Sequence, residues 1–342
     1  MRNKINLILM ALFLVSQVPL FAGGGTRNGT GGAAQLLIPV GARGIGMNGS
    51  NISSLRGVDA LFWNPAGLSR TSQPVEASFS YMSHIADIGV NYAAIGLQVG
   101  SIGSIAFSIK SLSMEDIPVT TVENPDGTGQ TYSPQLMTMG LTYAKNLSDR
   151  VSVGLSANLI SETLNLVSTT GIAINLGVMY SGLAGVEGLS FAMAMKNLGP
   201  QMKYGGSGLN IQAEAPSLTR PLQYYKIDPA PFDLPSSFEI GLSYQPVINE
   251  SNKLFISSSF QNNNFSSDQY KLGAEYCYND LLFIRGGYSF APEYESSTFL
   301  YKYTVGFGLK YNIGGVDVKV DYAYRDVKYF ESSHMFGVTF AF

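Results

Sequence analysis

Several residue types are scarce in this 342-residue chain, and each shortage argues against a class of protein. Cys277 is the only cysteine, so neither an internal disulfide nor a cysteine-based metal site can form. Charged residues make up 13% of the chain, well below the quarter that is usual for soluble domains. His84 and His334 are the only histidines, and no serine motif of the G-x-S-x-G kind accompanies either one. We therefore expect neither an enzyme active site nor a bound cofactor.

Long apolar runs are also missing after residue 22, which argues against transmembrane helices. Residues 1–22, MRNKINLILMALFLVSQVPLFA, have the layout of a secretory signal peptide, with Arg2 and Lys4 ahead of the apolar run and Ala22 as the cleavage position. An N-terminal membrane anchor is the weaker interpretation, because the run is short and Pro19 interrupts it. Without this segment the chain has 19 basic and 24 acidic residues. That balance argues against binding to nucleic acid, which requires a basic surface.

The sequence has instead a persistent alternation of apolar and polar residues from Val75 onward. In VDVKVDYAYRD, residues 316–326, valine or tyrosine occupies every second position, and charged or small residues stand between them. Such runs are about 9 to 12 residues long, the length that a tilted strand needs to cross a bilayer. Strands of soluble β-sandwiches are usually shorter, about 5 or 6 residues. We therefore predict an all-β protein that forms a closed antiparallel transmembrane β-barrel.

The alternation predicts fourteen strands, an even number, as bacterial single-chain barrels have. The predicted spans are 75–84, 89–98, 103–112, 134–145, 150–161, 171–181, 188–198, 236–246, 252–262, 269–279, 282–290, 300–312, 315–325 and 334–342. Most even-numbered strands are followed by short turns. The long connections mostly follow odd-numbered strands, at 113–133, 162–170, 199–235, 291–299 and 326–333. This pattern predicts short turns in the periplasm and long loops outside the cell, in the outer membrane of a Gram-negative bacterium. The proline-rich loop 199–235 is expected to contribute to ligand or partner binding.

The chain ends on an apolar strand, HMFGVTFAF. An open sheet edge in hydrocarbon would leave unpaired backbone groups, so the last strand is expected to pair with the first. The ending also resembles the C-terminal signal that the barrel assembly machinery reads in outer-membrane barrels, here Gly337, Phe340 and Phe342. Met335 stands where such signals usually have a large polar residue. The resemblance implies contact with that machinery and with outer-membrane lipid.

Residues 23–73 do not alternate, and we predict that this segment, called the hatch, fills the barrel as a plug with short helical segments. A helix is expected around residues 51–63, ended by Pro65 and Gly67. The chain then divides into a signal peptide (1–22), the hatch (23–73) and the barrel (74–342).

Two blocks of the hatch resemble a known family. VGARGIGMNGS, residues 40–50, and DALFWNPAGLSR, residues 59–70, are similar to the N-terminal block of the PorV/PorQ group, within the FadL-like superfamily of fourteen-stranded outer-membrane barrels. DLPSSFEIGLSY at 233–244 is similar to that group as well. The resemblance singles out the hatch-motif residues Arg43, Asp59, Trp63, Asn64, Pro65, Ala66 and Gly67.

The resemblance implies one of two functions. PorV-type proteins are components of type IX secretion that receive exported proteins, and we expect this function in protein export or surface presentation. FadL-like proteins are passive transporters of hydrophobic small molecules such as fatty acids, with a hatch that gates the path, and this is the alternative.

Charged residues also recur on the face that the alternation turns toward the lumen. This predicted luminal wall consists of Lys110, Lys196, Glu239, Glu275, Arg285, Lys302, Lys310, Asp317, Lys319, Asp321 and Arg325. The wall could line a polar passage or dock the hatch, with Arg43 and Asp59 as its partners. The simpler interpretation is that barrel interiors are generally polar and pair their own charges.

Overall fold

The computed structural model describes residues 27, 29–71, 73–213, 222–292 and 299–342, so the predicted signal peptide lies outside the described residues. Fourteen strands form a closed antiparallel barrel, and the predicted fold class is confirmed. In chain order the barrel strands are β1 (Val75–Ser83), β2 (Gly89–Val99), β3 (Gly103–Ser113), β6 (Gln135–Asn146), β7 (Val151–Leu164), β8 (Val167–Ser181), β9 (Leu189–Leu198), β12 (Ser237–Tyr244), β13 (Asn252–Asn263), β14 (Gln269–Tyr278), β15 (Leu282–Phe290), β16 (Tyr303–Ile313), β17 (Val316–Arg325) and β18 (Ser333–Ala341). Among the described residues, no helix has the length and hydropathy that a membrane crossing requires.

The last strand closes the barrel against the first. Strands β1 and β18 pair in register from Glu76 opposite Ala341 to Ser83 opposite His334. The backbone N–H of Phe342 donates to Val75 O at 2.9 Å, so pairing continues to the terminal residue. The terminal apolar strand therefore supplies the hydrogen-bonding partner that β1 requires.

The two faces of the strands differ as the alternation predicts. On β16, Tyr303, Val305, Phe307, Leu309 and Tyr311 point outward and are exposed, whereas the intervening Thr304 is buried in the lumen. The outward aromatic residues stand near both ends of the strand, the position of interfacial girdles in membrane barrels.

One predicted connection is wrong. The long loop expected at 162–170 is a two-residue turn, because β7 continues to Leu164 and β8 begins at Val167. Asn165 adopts a left-handed conformation with φ of 52°, which asparagine tolerates and tight hairpins require. The sequence at the ends of β7 and β8 is polar and does not alternate, so it gave no sign of a strand. The two strands nevertheless remain hydrogen-bonded there, beyond the apolar part of the wall.

Two long connections contain small hairpins that the sequence did not predict. β4 (Ile117–Pro118) pairs with β5 (Thr131–Tyr132), and β10 (Asn210–Ala213) pairs with β11 (Gln223–Lys226). Both lie at the end of the barrel that carries the long loops, hereafter the long-loop end; the opposite end is the short-turn end.

The described part of the hatch runs through the lumen from the long-loop end to the short-turn end. Arg27 pairs with Asp233 at 2.7 Å in the loop before β12. At the other end, Arg70 donates to Arg150 O at 2.6 Å in the turn before β7. Between them lie one α-helical turn, α1, and three 3-10 helices. These are Ala34–Leu37, α1 (Ala42–Gly46), Gly57–Ala60 and Pro65–Arg70.

The helix predicted over residues 51–63 is wrong. Residues 51–54 form turns, Arg56 is extended, and Gly57 has a φ of 62°. A side chain at Gly57 would overlap the Glu76 carboxylate of β1, so the barrel wall sets this break. Pro65 begins a 3-10 helix rather than ending one, and Asn64 caps it by accepting from Ala66 N at 3.1 Å.

Candidate functional site

The hatch separates two cavities in the lumen. The upper cavity, about 240 Å³, opens at the long-loop end, and the lower cavity, about 410 Å³, opens at the short-turn end. Their linings differ in chemistry, so each is described separately.

The hatch gives the upper cavity an apolar floor. The floor residues are Leu36, Leu37, Pro39, Val40, Phe62 and Trp63. Trp63 is fixed in place because its indole N–H donates to Val40 O at 3.0 Å and its ring meets Phe62 edge-on at a centroid distance of 5.1 Å. A side chain at Gly44 would overlap the Trp63 indole, so glycine allows α1 to approach the ring this closely.

Four cations from the barrel wall surround this floor. They are Lys110, Lys196, Lys271 and Arg325, and the described residues that line the upper cavity include no acidic side chain. Thr138 also lines the cavity, and its buried hydroxyl has no hydrogen-bond partner within the described structure. The cavity thus offers an apolar surface together with positive charge, which suits a molecule with an apolar body and an anionic group.

Two of these lysines are tied to the hatch and the wall. Lys110 donates to Gln35 O at 2.6 Å and to Ile38 O at 3.0 Å. Lys196 lies 2.5 Å from the Glu239 carboxylate. Both ammonium groups lie 5.0 Å from the centroid of the Phe62 ring, one contributed by β3 and the other by β9. Both ammonium groups are therefore close enough to the Phe62 ring for cation–π attraction.

Arg325 and Lys271 have uncharged partners in the barrel. The Arg325 guanidinium carbon lies 3.5 Å from the centroid of the Tyr301 ring, and Lys271 donates to Gln261 Oε1. Lys271 was missed in the predicted wall, although the alternation of β14 places it inward beside Glu275. The apolar floor was missed because nothing in the hatch sequence indicates which of its apolar residues face a cavity.

A network of charges joins the hatch to the wall below this floor. This hatch–wall network consists of Arg43, Asp59, Glu275, Arg285, Lys319 and Asp321. Arg43 donates to both Glu275 oxygens, at 2.7 and 3.0 Å, and Asp59 lies 3.1 Å from Lys319.

Within the wall, the network continues from strand to strand. Arg285 bridges Glu275 at 2.5 Å and Asp321 at 2.6 Å, and Lys319 lies 2.9 Å from Asp321. Of the remaining predicted wall residues, Lys310 and Asp317 pair at 2.8 Å near the short-turn end. Lys302 lies just before β16, where its carbonyl accepts from Asn48 at 3.2 Å. Charges of the wall thus hold the hatch in place as well as pairing with each other.

The Asn-Pro-Ala-Gly segment of the hatch is a packing element. Asn64 donates to Ile52 O and Val178 O, both at 3.3 Å, and lies against Gly177 of β8. A side chain at Gly154 of β7 would overlap the Pro65 and Ala66 backbone. A methyl group at Gly67 would lie 2.5 Å from Leu55 O. Residues 64–67 therefore fix where the hatch meets the wall, and they are absent from the described lining of either cavity. Across the described ranges, no group of three or more His, Cys, Asp or Glu side chains could hold a metal ion.

Of the assembly-signal residues, Gly337 and Phe340 lie on β18, and Phe342 follows the strand at the short-turn end. Phe340 pairs with Ala77, and Gly337 pairs with Ser80. Phe342 is half exposed at the very end of the strand. Contact with the assembly machinery stays a prediction.

The stability of the protein is expected to depend on pH through His84, which lies at the long-loop end. It lies between β1 and β2, and burial, followed by the charges of Arg325 and Lys110, lowers its pKa to about 4 from 6.5. The neutral form is favoured in the folded state, so stability is complete above about pH 6.5 and falls as the pH decreases toward 4. The shift corresponds to at most about 3 kcal/mol.

We expect His84→Gln to flatten the dependence of unfolding free energy on pH between 7 and 4, measured by urea titration in detergent. His334→Gln is the control, because His334 is exposed and, within the described part of the chain, its side chain meets the Tyr322 hydroxyl at 2.9 Å and neighbouring rings. An unchanged slope in His84→Gln would show that this histidine does not cause the acid sensitivity.

Comparison with known proteins relates this barrel to solved structures. No protein-family model matches the sequence, and no curated protein matches it. The toluene transporter TodX of Pseudomonas putida is 15% identical, with 88% of this chain and 97% of TodX covered and a TM-score of 0.55. The toluene transporter TbuX of Ralstonia pickettii is 14% identical, with 88% and 97% covered and a TM-score of 0.52. The chain has the fold of these transporters. The predicted fourteen-stranded barrel is thereby supported at the level of fold, whereas a relation to the FadL-like superfamily or to PorV/PorQ stays a prediction.

Proposed function

We propose that this protein is a non-enzymatic outer-membrane barrel that lets hydrophobic small molecules with an anionic group, such as fatty acids, pass without an energy source. The observation that carries the proposal is the upper cavity, where an apolar hatch floor meets four cations and no acidic lining residue among those described. A carboxylate placed near Lys110 and Lys271 would be attracted by charge, while its apolar body would contact Phe62 and Leu36.

The size of the cavity favours a small ligand. A dry cavity of about 150 Å³ is large enough for benzene. The upper cavity has about 240 Å³, room for a monoaromatic or short-chain carboxylate rather than a fully enclosed long chain. TodX and TbuX are described as toluene transporters, which supports an apolar cargo. The cations of the upper cavity favour a cargo that also has an anionic group.

The direction of passage follows from the orientation of the barrel. We place the short-turn end in the periplasm and the long-loop end outside, as in other outer-membrane barrels. The upper cavity then receives molecules from the medium, and the hatch must shift before they reach the lower cavity.

This orientation predicts the labelling of an engineered cysteine. Ser207 is exposed in the long connection before β12, so Ser207→Cys should react with a membrane-impermeant maleimide on intact cells. The unmodified chain is the control, because its single thiol, Cys277, is buried. Labelling of Ser207→Cys only after the outer membrane is permeabilised would reverse the orientation.

A role in protein export of the PorV/PorQ type is the second candidate. Besides the hatch resemblance, one observation favours it: the β10–β11 hairpin exposes apolar side chains at the long-loop end, with Ile211, Tyr224 and Tyr225 among them. Such a patch could contact an exported protein.

Mass spectrometry of the protein purified in mild detergent from its own outer membrane separates the two candidates. The transport proposal predicts a co-purified small hydrophobic acid and no stoichiometric protein partner. An exported protein present at one copy per barrel, with no small molecule, would favour the second candidate instead.

The cations also predict substrate selectivity. Lys271→Gln removes one positive charge from the upper cavity but leaves the Lys110 contacts with the hatch intact. We expect benzoate uptake by cells that express this variant to fall about tenfold, since a hydrogen-bonded charge contributes roughly 1.5 kcal/mol or more. Toluene uptake, which needs no cation, should stay unchanged, and an equal loss for both compounds would count against recognition of the anion.

A further inference from the structure

The lower cavity is lined by more basic than acidic residues. Its charged lining consists of Arg43, Arg56, Arg70, Lys253, Lys310 and Lys319, with Asp59, Glu76, Glu275, Asp280 and Asp317. The pairing of these residues shows which charges are still available to a ligand.

Each acidic residue in that lining already has a partner. Three of them form ion pairs that were described above: Asp59 with Lys319, Glu275 with Arg43, and Asp317 with Lys310. Asp280 accepts from Lys253 at 2.7 and 2.6 Å. Glu76 accepts from Val58 N at 2.9 Å and from the Thr71 hydroxyl. Four of the bases are thereby neutralised by carboxylates.

Among the described residues that line this cavity, Arg56 and Arg70 are the two bases without a carboxylate partner. Within the described residues, Arg56 makes no hydrogen bond or ion pair, and its side chain is exposed to the cavity. Arg70 donates to the Ser152 and Ser181 hydroxyls, both at 2.7 Å, and to the Arg150 carbonyl. These contacts use three of the five N–H donors of its guanidinium, and none of the three acceptors is charged.

The two arginines face the same cavity. Arg43, Arg56 and Arg70 line the same cavity, and the charge of Arg56 lies within electrostatic range of Arg43 on one side and of Arg70 on the other. Only Arg43 has its charge balanced, by Glu275. Unbalanced neighbouring cations repel each other, and a bound anion would relieve that repulsion.

We propose that Arg56 and Arg70 form an anion-binding site at the short-turn end, which receives the carboxylate of the transported molecule after it passes the hatch. The inference rests on the proposed function for the identity of the ligand, and on the charges of the lower cavity for the site itself. A guanidinium fork binds a carboxylate through two parallel hydrogen bonds, and Arg56 has all five donors available for this. Ser54, Thr71 and Gln73 line the same cavity and add polar groups around the site.

The two cationic sites lie on opposite sides of the hatch. The upper site draws its charge from the barrel wall, whereas the lower site draws its charge from the hatch. A movement of the hatch that breaks the Arg70 contacts with Ser152 and Ser181 therefore shifts the lower site relative to the wall and leaves the upper cations in place. The carboxylate would pass from wall lysines to hatch arginines as the hatch moves.

Protection of Arg56 from phenylglyoxal tests the site directly. The full-length protein in detergent is treated with the reagent with and without benzoate, and the modification of each arginine is followed by mass spectrometry. We expect saturating benzoate to slow modification of Arg56 about fivefold. Arg27, exposed at the opposite, long-loop end, is the internal control and should react at the same rate in both samples.

Two further samples distinguish failure of the site from failure of the proposed function. In Lys271→Gln, which weakens the upper site, benzoate should still protect Arg56. If inorganic phosphate protected Arg56 and benzoate did not, a site for the transported carboxylate would be overturned. Equal protection of Arg56 and Arg27, or none, would overturn the anion-binding site altogether, whatever the uptake measurements show.

Discussion

Replacing Glu275 by leucine is expected to destabilise the protein by about 3 to 5 kcal/mol, the usual cost of leaving buried charges without their partner. Glu275 is 1% exposed and accepts from both Arg43 and Arg285, and the Arg285 side chain is fully buried. Without this carboxylate, Arg43 loses its ion pair and Arg285 keeps only Asp321. The hatch would then lose one of the ion pairs that join it to the wall.

Urea unfolding in detergent measures this effect, and Asp317→Asn supplies the matched control. Asp317 also belongs to the predicted wall, but its partner Lys310 is 38% exposed, so the loss should stay below about 1 kcal/mol. Similar losses in the two variants would mean that the hatch–wall network stabilises the barrel no more than a surface ion pair does.

Replacing Gly287 by alanine is expected to disturb the seating of the hatch, whereas the same change at Gly286 is not. Both glycines lie on β15, but they face opposite sides of the wall. A methyl group at Gly287 would lie 2.5 Å from the Met47 carbonyl carbon and 2.7 Å from Asn48 N. A methyl group at Gly286 would meet nothing within 4 Å. We expect a loss of about 1 to 3 kcal/mol for Gly287→Ala, the usual cost of overpacking.

Trp63 reports this effect specifically, because it is the only tryptophan and belongs to the hatch. In Gly287→Ala its emission should shift to longer wavelength at a lower urea concentration than in the unmodified protein. Gly286→Ala should match the unmodified protein within about 0.5 kcal/mol. If both alanine variants behaved alike, close packing of Met47 and Asn48 against β15 would not be what positions the hatch.

Strands were predictable here because their signal is local. A period of two over ten residues is visible without knowledge of the neighbours, and 282–290 was predicted with the bounds that β15 has. The predicted loop at 162–170 failed because pairing between β7 and β8 continues where the alternation of apolar residues stops.

The hatch was less predictable because its conformation depends on the wall. The predicted helix at 51–63 is broken at Gly57, beside the Glu76 carboxylate of a strand that begins after the hatch. Sequence patterns indicate that Glu275 and Arg285 face inward, but they do not show which charges meet Arg43. That choice depends on the register of β14, β15 and β17 around the barrel.

Uptake of radiolabelled benzoate by cells with and without this protein in their outer membrane tests the central claim most directly. The proposed transport predicts that the initial rate rises severalfold when the protein is present and returns toward background in Lys271→Gln, with toluene uptake unaffected by that substitution. A correctly assembled protein that raises the rate for neither compound would contradict the claim that this barrel is a route for hydrophobic small molecules.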